Sequence, residues 1–157
     1  KKIKTRTLRD QIGIVQQDPF LFNDTVLANI AYGNLDASQD EIKEAAKAAN
    51  CHEFIEELPE GYQTRIGERG IKLSGGQKQL IALASVLTLK PDILIFDEVM
   101  AQIDTKGKKT IKDIVLQLKD EGKTVIMVEH NLDNIDIADR KLVLKNGRLE
   151  KFAGSLQ

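Results

Sequence analysis

Three short apolar runs, Ile12 to Val15, Ile93 to Phe96 and Thr124 to Val128, are separated by longer stretches in which apolar residues recur every three or four positions. Short runs bounded by polar or turn-forming residues predict buried strands, and the periodic stretches predict helices. The first run ends at Gln16-Gln17 and the turn-forming Asp18-Pro19, after which Phe20, Leu21 and Phe22 make an apolar knot. Asn23 or Asp24 is expected to cap a short helix over Val26, Leu27 and Ile30 that stops near Gly33. Ser38 and Glu41 stand at capping-box spacing and open a helix through Asn50, with Ile42, Ala45, Ala46 and Ala49 as its apolar stripe. Another short helix is expected over Cys51 to Leu58, followed by a long irregular connection marked by Pro59, Gly61, Gly67 and Gly70.

Ser74 and Gln77 repeat the capping-box spacing and start a helix to Leu89, with Leu80, Leu83, Ala84 and Leu87 on one face and Pro91 ending it. Ile93 to Phe96 stops abruptly at Asp97-Glu98, as a strand covered on both faces does when it leaves a sheet. Asp104 reads as the N-cap of a helix to Glu121, with Ile111, Ile114, Val115 and Leu118 inward and the lysines outward. Lys141 to Leu144 and Arg148 to Phe152 flank Asn146-Gly147, a strong hairpin signal.

Strands alternating with helices predict an α/β fold with a mainly parallel sheet flanked by helices, and such sheets bind ligands outside the carboxyl ends of their strands. Those ends carry Gln17, the Asp97-Glu98 pair and His130. An amide, two carboxylates and an imidazole on one edge suit a nucleotide with a metal ion. Asp97 fits magnesium, which is held by few carboxylates because it keeps its water; Glu98 fits a general base that polarises a water. Each residue also has an ordinary role: the carboxylate pair can cap a turn, His130 can be structural, Gln17 can be a loop amide, and Asp104 is accounted for as a cap.

The first turn of the helix after Ser74 holds Gly75 and Gly76, and each glycine costs up to about 1 kcal/mol relative to alanine inside a helix. Bare glycines leave the unpaired N–H groups of a helix N-terminus open to an anion. Composition narrows the partners. Lys plus Arg number 23 and Asp plus Glu 24, a formal charge of −1, so no global basic field points to nucleic acid. Cys51 is the only cysteine and His52 and His130 the only histidines, which excludes an internal disulfide and argues against structural zinc. The longest nearly continuous apolar run, Leu80 to Leu89, falls far short of a membrane span. Lys1 to Arg9 carries five basic residues and reads as solvated surface or a cut end.

Taken in order, these residues resemble the nucleotide-binding domain of ATP-binding cassette (ABC) transporters over nearly the whole chain. Ile14-Val15-Gln16-Gln17-Asp18-Pro19 resembles the Q-loop, Leu73 to Gln77 the family signature, and Ile93 to Glu98 Walker B with its catalytic glutamate. Asp104 matches the D-loop aspartate and His130 the switch histidine. Thr64 to Gly70 resembles the exporter loop that touches the coupling helices of the membrane domain, and Phe20 to Val26 is also exporter-like. The resemblance implies a P-loop NTPase-like fold, with 1–19 and 90–157 as a partial RecA-like ATPase core and 20–89 as an inserted helical signature subdomain. It implies ATP and Mg²⁺ as ligands. Glu98, His130 and Gln17 would be catalytic, Asp97 and Gln17 would serve the metal, and Ser74, Gly75, Gly76, Gln77 and Asp104 would bind nucleotide. The implied partners are a second cassette, on whose nucleotide this signature acts, and a transmembrane domain reached through the Gln17 loop and Gly67 to Gly70. Location at the cytoplasmic face of a membrane follows, with no nucleic-acid partner.

The chain departs from the family in several places. It contains no Gly-x-x-x-x-Gly-Lys-Ser/Thr; Gly122-Lys123-Thr124 leads from helix to strand, the reverse of the required order. The P-loop and the adenine-stacking aromatic are expected to precede Lys1, so a fragment that binds ATP poorly by itself is expected. Val99-Met100-Ala101-Gln102-Ile103-Asp104 stands where Ala-Thr-Ser-Ala-Leu-Asp is common, Lys78, Leu80 and Ser85 replace frequent arginines, and Glu129 and Asn131 flank the histidine unusually. The expected function is ATP hydrolysis coupled to export; the alternative is a degenerate, non-catalytic cassette half that lends its signature to a partner and regulates it. Retained Glu98 favours the first.

Overall fold

The computed structural model describes residues 5–67, 73–101 and 103–151. Lys1 to Lys4, Glu68 to Gly70 of the exporter-like loop, Gln102 and Phe152 lie outside the described residues. A single helical turn, α1 (Thr5–Arg9), leads into β1 (Ile12–Val15); α2 (Val26–Ala31), α3 (Gln39–Ala48), α4 (His52–Glu56), a 3-10 turn (Gly61–Gln63) and α5 (Gly75–Leu87) follow. The chain then returns to the sheet as β2 (Ile93–Asp97), α6 (Thr105–Asp120) and β3 (Thr124–Val128), and ends in a 3-10 turn (Leu132–Ile135) and the hairpin β4 (Leu142–Lys145) and β5 (Arg148–Lys151).

The first three strands form one parallel sheet in the order β1-β2-β3. Its register sets Ile14 beside Ile95 and Ile95 beside Ile126. Side chains alternate across a strand, so Val15, Leu94 and Phe96 share the other face. There they join one core with Ile81 and Leu83 of α5 and Ile111 and Ile114 of α6. The sequence predicts three buried strands, with β2 covered on both faces. On the face opposite the core Ile95 of β2 is half-buried, while Ile14 of β1 is 52% exposed and Ile126 of β3 47% among the described residues.

Helix α5 joins the sheet to the helical layer, packing against β1, α2 and α3. Its buried residues are Gln79, Ile81, Leu83 and Ala84, whereas the expected Leu80 and Leu87 are only partly buried. With helices on one side and a strand on another, no single stripe describes its contacts. The alanine stripe of α3 packs on α5, and Gly33 lets the end of α2 meet α5 backbone to backbone: a Cβ there would sit 1.8 Å from the Ser85 carbonyl oxygen.

The helix starts follow the sequence with one correction. The capping boxes at Ser38/Glu41 and Ser74/Gln77 both form. At α2 the cap is Thr25, not Asn23 or Asp24: Thr25 Oγ1 accepts from the Ala28 N–H at 3.0 Å, while Asp24 accepts from the Thr25 N–H. Asn29 is buried, accepts from the Phe22 N–H, and donates to the carbonyls of Phe22 and Thr25, which fixes the apolar knot on the helix. The hairpin turns at Asn146 and Gly147, both at positive φ as a type I′ turn requires.

Candidate nucleotide site

The carboxyl ends of β2 and β3 lie side by side, since Asp97 is in register with Val128. One residue further, the Glu98 N–H donates to the Val128 carbonyl at 2.9 Å. Glu98 has φ 51, in the left-handed region that is strained by about 1–3 kcal/mol for a residue with a side chain. The distortion turns its carboxylate toward the end of β3, where Glu98 Oε1 lies 2.6 Å from His130 Nε2. The glutamate side chain is mostly covered and the imidazole is 85% exposed, so the pair opens to solvent through the histidine. Asp97 is exposed beside it.

Behind His130 the loop is pinned by residues to which the sequence assigns no such role. Asn134 is buried and donates to Glu129 Oε2 at 2.9 Å, and Asn131 caps the following turn. Lys112 of α6, expected to point outward, instead donates to the Asp133 carbonyl at 2.6 Å and pairs with Asp136, whose carboxyl it holds below the ordinary value. The unusual residues around the histidine thus build its support.

The opening turn of α5 forms a second part of the site. The Ser74 N–H donates to Gln77 Oε1 at 3.0 Å and the Gln77 N–H to Ser74 Oγ at 3.2 Å. The N–H groups of Gly75 and Gly76 make no hydrogen bond among the described residues. Gly75 is exposed. Gly76 has a packing role as well, since a Cβ there would come 3.1 Å from Ile103 Cγ2. Ile103 also lies against Gly107, whose N–H is bound at 2.8 Å by Asp104 Oδ1. Asp104 is therefore a helix cap in this structure, on an exposed side chain.

Gln17 and the opening turn of α5 border the same cleft of about 400 Å³, together with Phe20, Lys78 and Val99, the residue after Glu98. The two exporter-like segments also meet. Thr25 and Arg65 form an isolated antiparallel bridge, the Val26 N–H donates to the Thr64 carbonyl, and the Ile66 N–H donates to the Asp24 carbonyl. Gly67 follows at φ 72. The described part of that loop is thereby fixed to the segment after Gln17. Gly122 has φ 81 in the turn from α6 to β3, as expected for a helix-to-strand connection.

Residues 1–101 match the family model described as ABC transporter. The chain belongs to that family. This ABC cassette is 48% identical over 146 residues to YgaD of Bacillus subtilis (strain 168), named as a multidrug export ATP-binding/permease protein, covering 93% of the chain and 25% of that protein. It is 43% identical to ABC transporter B family member 15 of Arabidopsis thaliana, covering 94% of the chain and 12% of the relative. Among solved structures, a bacterial Atm1-family ABC exporter with ATP bound matches with TM-score 0.86 and 44% identity, over 95% of this chain and 26% of that one. The cassette therefore spans about a quarter or less of the length of these relatives, and it is of the exporter type with a P-loop NTPase-like fold. No helix among the described residues is long and apolar enough to cross a membrane.

Proposed function

We propose that this cassette hydrolyses ATP to drive export across a membrane, working at its cytoplasmic face. The reading rests on the Glu98–His130 contact at the carboxyl edge of the parallel sheet, a base and its orienting group at the place where such sheets bind ligands.

The donor set fits ATP with magnesium. Asp97 and Gln17 offer hard oxygen ligands, and magnesium needs few from a protein because water and phosphates fill its shell; among the described residues no larger metal-binding cluster competes. Asp97 and Gln17 would hold the ion, which when bound neutralises charge on the phosphate oxygens. Glu98 takes a hydrogen bond from the attacking water and accepts its proton as the water oxygen bonds to the terminal phosphorus and the bond from that phosphorus to the departing ADP breaks. His130 holds Glu98 through Oε1 before nucleotide binds and turns its Nε2–H to the terminal phosphate oxygens when it does. Catalysis is then mostly positioning and charge stabilisation.

Ser74, Gly75, Gly76 and Gln77, with Asp104, face a nucleotide held by a second cassette, the N–H groups at the opening of α5 meeting its terminal phosphate. In this reading 1–19 and 90–157 belong to a partial RecA-like ATPase core and 20–89 to the helical signature subdomain. The Gln17 loop and the Gly67 to Gly70 loop meet the coupling helices of a transmembrane domain. The Thr25–Arg65 bridge supports a single docking unit made from both exporter-like segments. The intact Glu98–His130 pair favours this over a regulatory, non-catalytic half.

In the full-length protein, Glu98→Gln is expected to lower turnover by about a hundredfold or more, the size of a lost general base, while nucleotide-dependent dimers persist. Unchanged turnover would remove Glu98 from its role. The 157 residues alone, without a phosphate cradle in their sequence, are expected to bind Mg-ATP more weakly than micromolar in a calorimetric titration.

A further inference from the structure

Gln79 lies one turn into α5, on its buried face and 5% exposed. Its Nε2 donates to the Gln16 carbonyl at 3.2 Å and to the Gln17 carbonyl at 2.5 Å. These bonds span 63 and 62 residues of chain and use both hydrogens of the amide. Two carbonyl acceptors fix the orientation of the group, because the flipped amide would point its oxygen at both. Gln79 Oε1 is buried and has no partner among the described residues. A buried amide left half unsatisfied is not a packing choice, since an apolar side chain of similar volume would fill the same space without an orphan acceptor. The two donor bonds are what the residue supplies.

Those bonds join parts of the site that are far apart in sequence. Gln79 follows Gly75 by four residues and so stands directly beneath the opening turn of α5. Its acceptors are the backbone of the Gln17 loop across the same cleft. We propose that Gln79 is a positioning residue that ties the Gln16–Gln17 backbone to the opening turn of α5, so that displacement of that turn by a nucleotide on the partner cassette is passed to Gln17. This rests on the reading that Gln17 and the opening turn serve ATP. In this role Gln79 acts through the Gln17 backbone and not on nucleotide or metal itself.

The test uses the full-length protein and two variants of similar size. Gln79→Met removes both donors, and Gln79→Glu sets carboxylate oxygens against the two carbonyls. Amide hydrogen exchange over residues 14–20 reads the tie directly, and either folded variant is expected to speed it by about tenfold, the loss expected when buried hydrogen bonds are removed. Turnover reads the consequence. If Gln79 acts through Gln17, Gln79→Met lowers turnover in the parent and has little further effect in a Gln17→Ala background, a coupling that a purely structural role would not give. Unchanged exchange overturns the proposal, as do faster exchange with independent, multiplicative losses. Should the parent show no ATP turnover, the functional reading fails, and the exchange measurement with and without Mg-ATP still decides whether the tie exists and responds to nucleotide.

Discussion

His130 Nε2 lies 2.6 Å from Glu98 Oε1, although the two residues belong to different strand ends and are separated by the whole of α6. The contact gives the histidine a role that stability does not require. Its side chain is 85% exposed, and exposed pairs contribute about 0–1 kcal/mol. His130→Ala is therefore expected to leave the melting temperature nearly unchanged while lowering ATP turnover of the full-length protein by about a hundredfold. A large fall in melting temperature with normal turnover would make the histidine structural.

Asn29 is a buried amide with three hydrogen bonds, one accepted from Phe22 and two donated to Phe22 and Thr25. Asn29→Ala leaves the part-buried Phe22 N–H without its acceptor, while the Phe22 and Thr25 carbonyls each keep one backbone donor, so a loss of about 1–3 kcal/mol is expected. Denaturant unfolding of parent and variant measures it. The knot at Phe20 to Phe22 should become more protease-sensitive in the variant, since Asn29 is what fastens Phe22 to α2.

At Gly33 an added methyl group would overlap the Ser85 carbonyl, backbone that cannot swing aside. Gly33→Ala should cost about 3 kcal/mol or more through forced separation of α2 from α5. An unchanged unfolding midpoint would show that the two helices can part without penalty.

The Glu41 carboxyl is held down at about 2 by hydrogen bonds from Lys90 and then Ser38. A carboxylate whose value is depressed on folding contributes stability above its unfolded value, and that contribution disappears as pH falls through its folded value. The expected window runs from the unreacted carboxyl's 4.5 down to about 2. Acid unfolding of Glu41→Gln should lack this component, with Lys90→Met giving most of the same change.

Much of the candidate site was legible along the chain because it consists of local signals. A serine three residues before a glutamine announces the start of α5, and carboxylates that abruptly end an apolar run announce the carboxyl edge of β2. Thr25 does not stand out along the chain because Asn23 and Asp24 are equally good caps, and only the helical path chooses among the three neighbours. Gln79 left a faint trace, a polar residue four positions before the buried Leu83; its partners lie more than sixty residues away and no local spacing encodes them. The same holds for Asn134 beneath the His130 loop and for Lys112, which spacing places among outward lysines.

The amino-acid order by itself determined the helix starts, the alternation of strand and helix, and the residues that stand at the strand ends, because these depend on side chains a few positions apart. Tertiary structure alone decided that Glu98 and His130 touch, that Gly76 makes room for Ile103, that Gln79 holds the Gln17 backbone, and that Ile14 and Ile126 stay exposed among the described residues. Each of these depends on distant segments brought together by burial of a shared core, and packing fixes their separations to fractions of an ångström that no periodicity along the chain records.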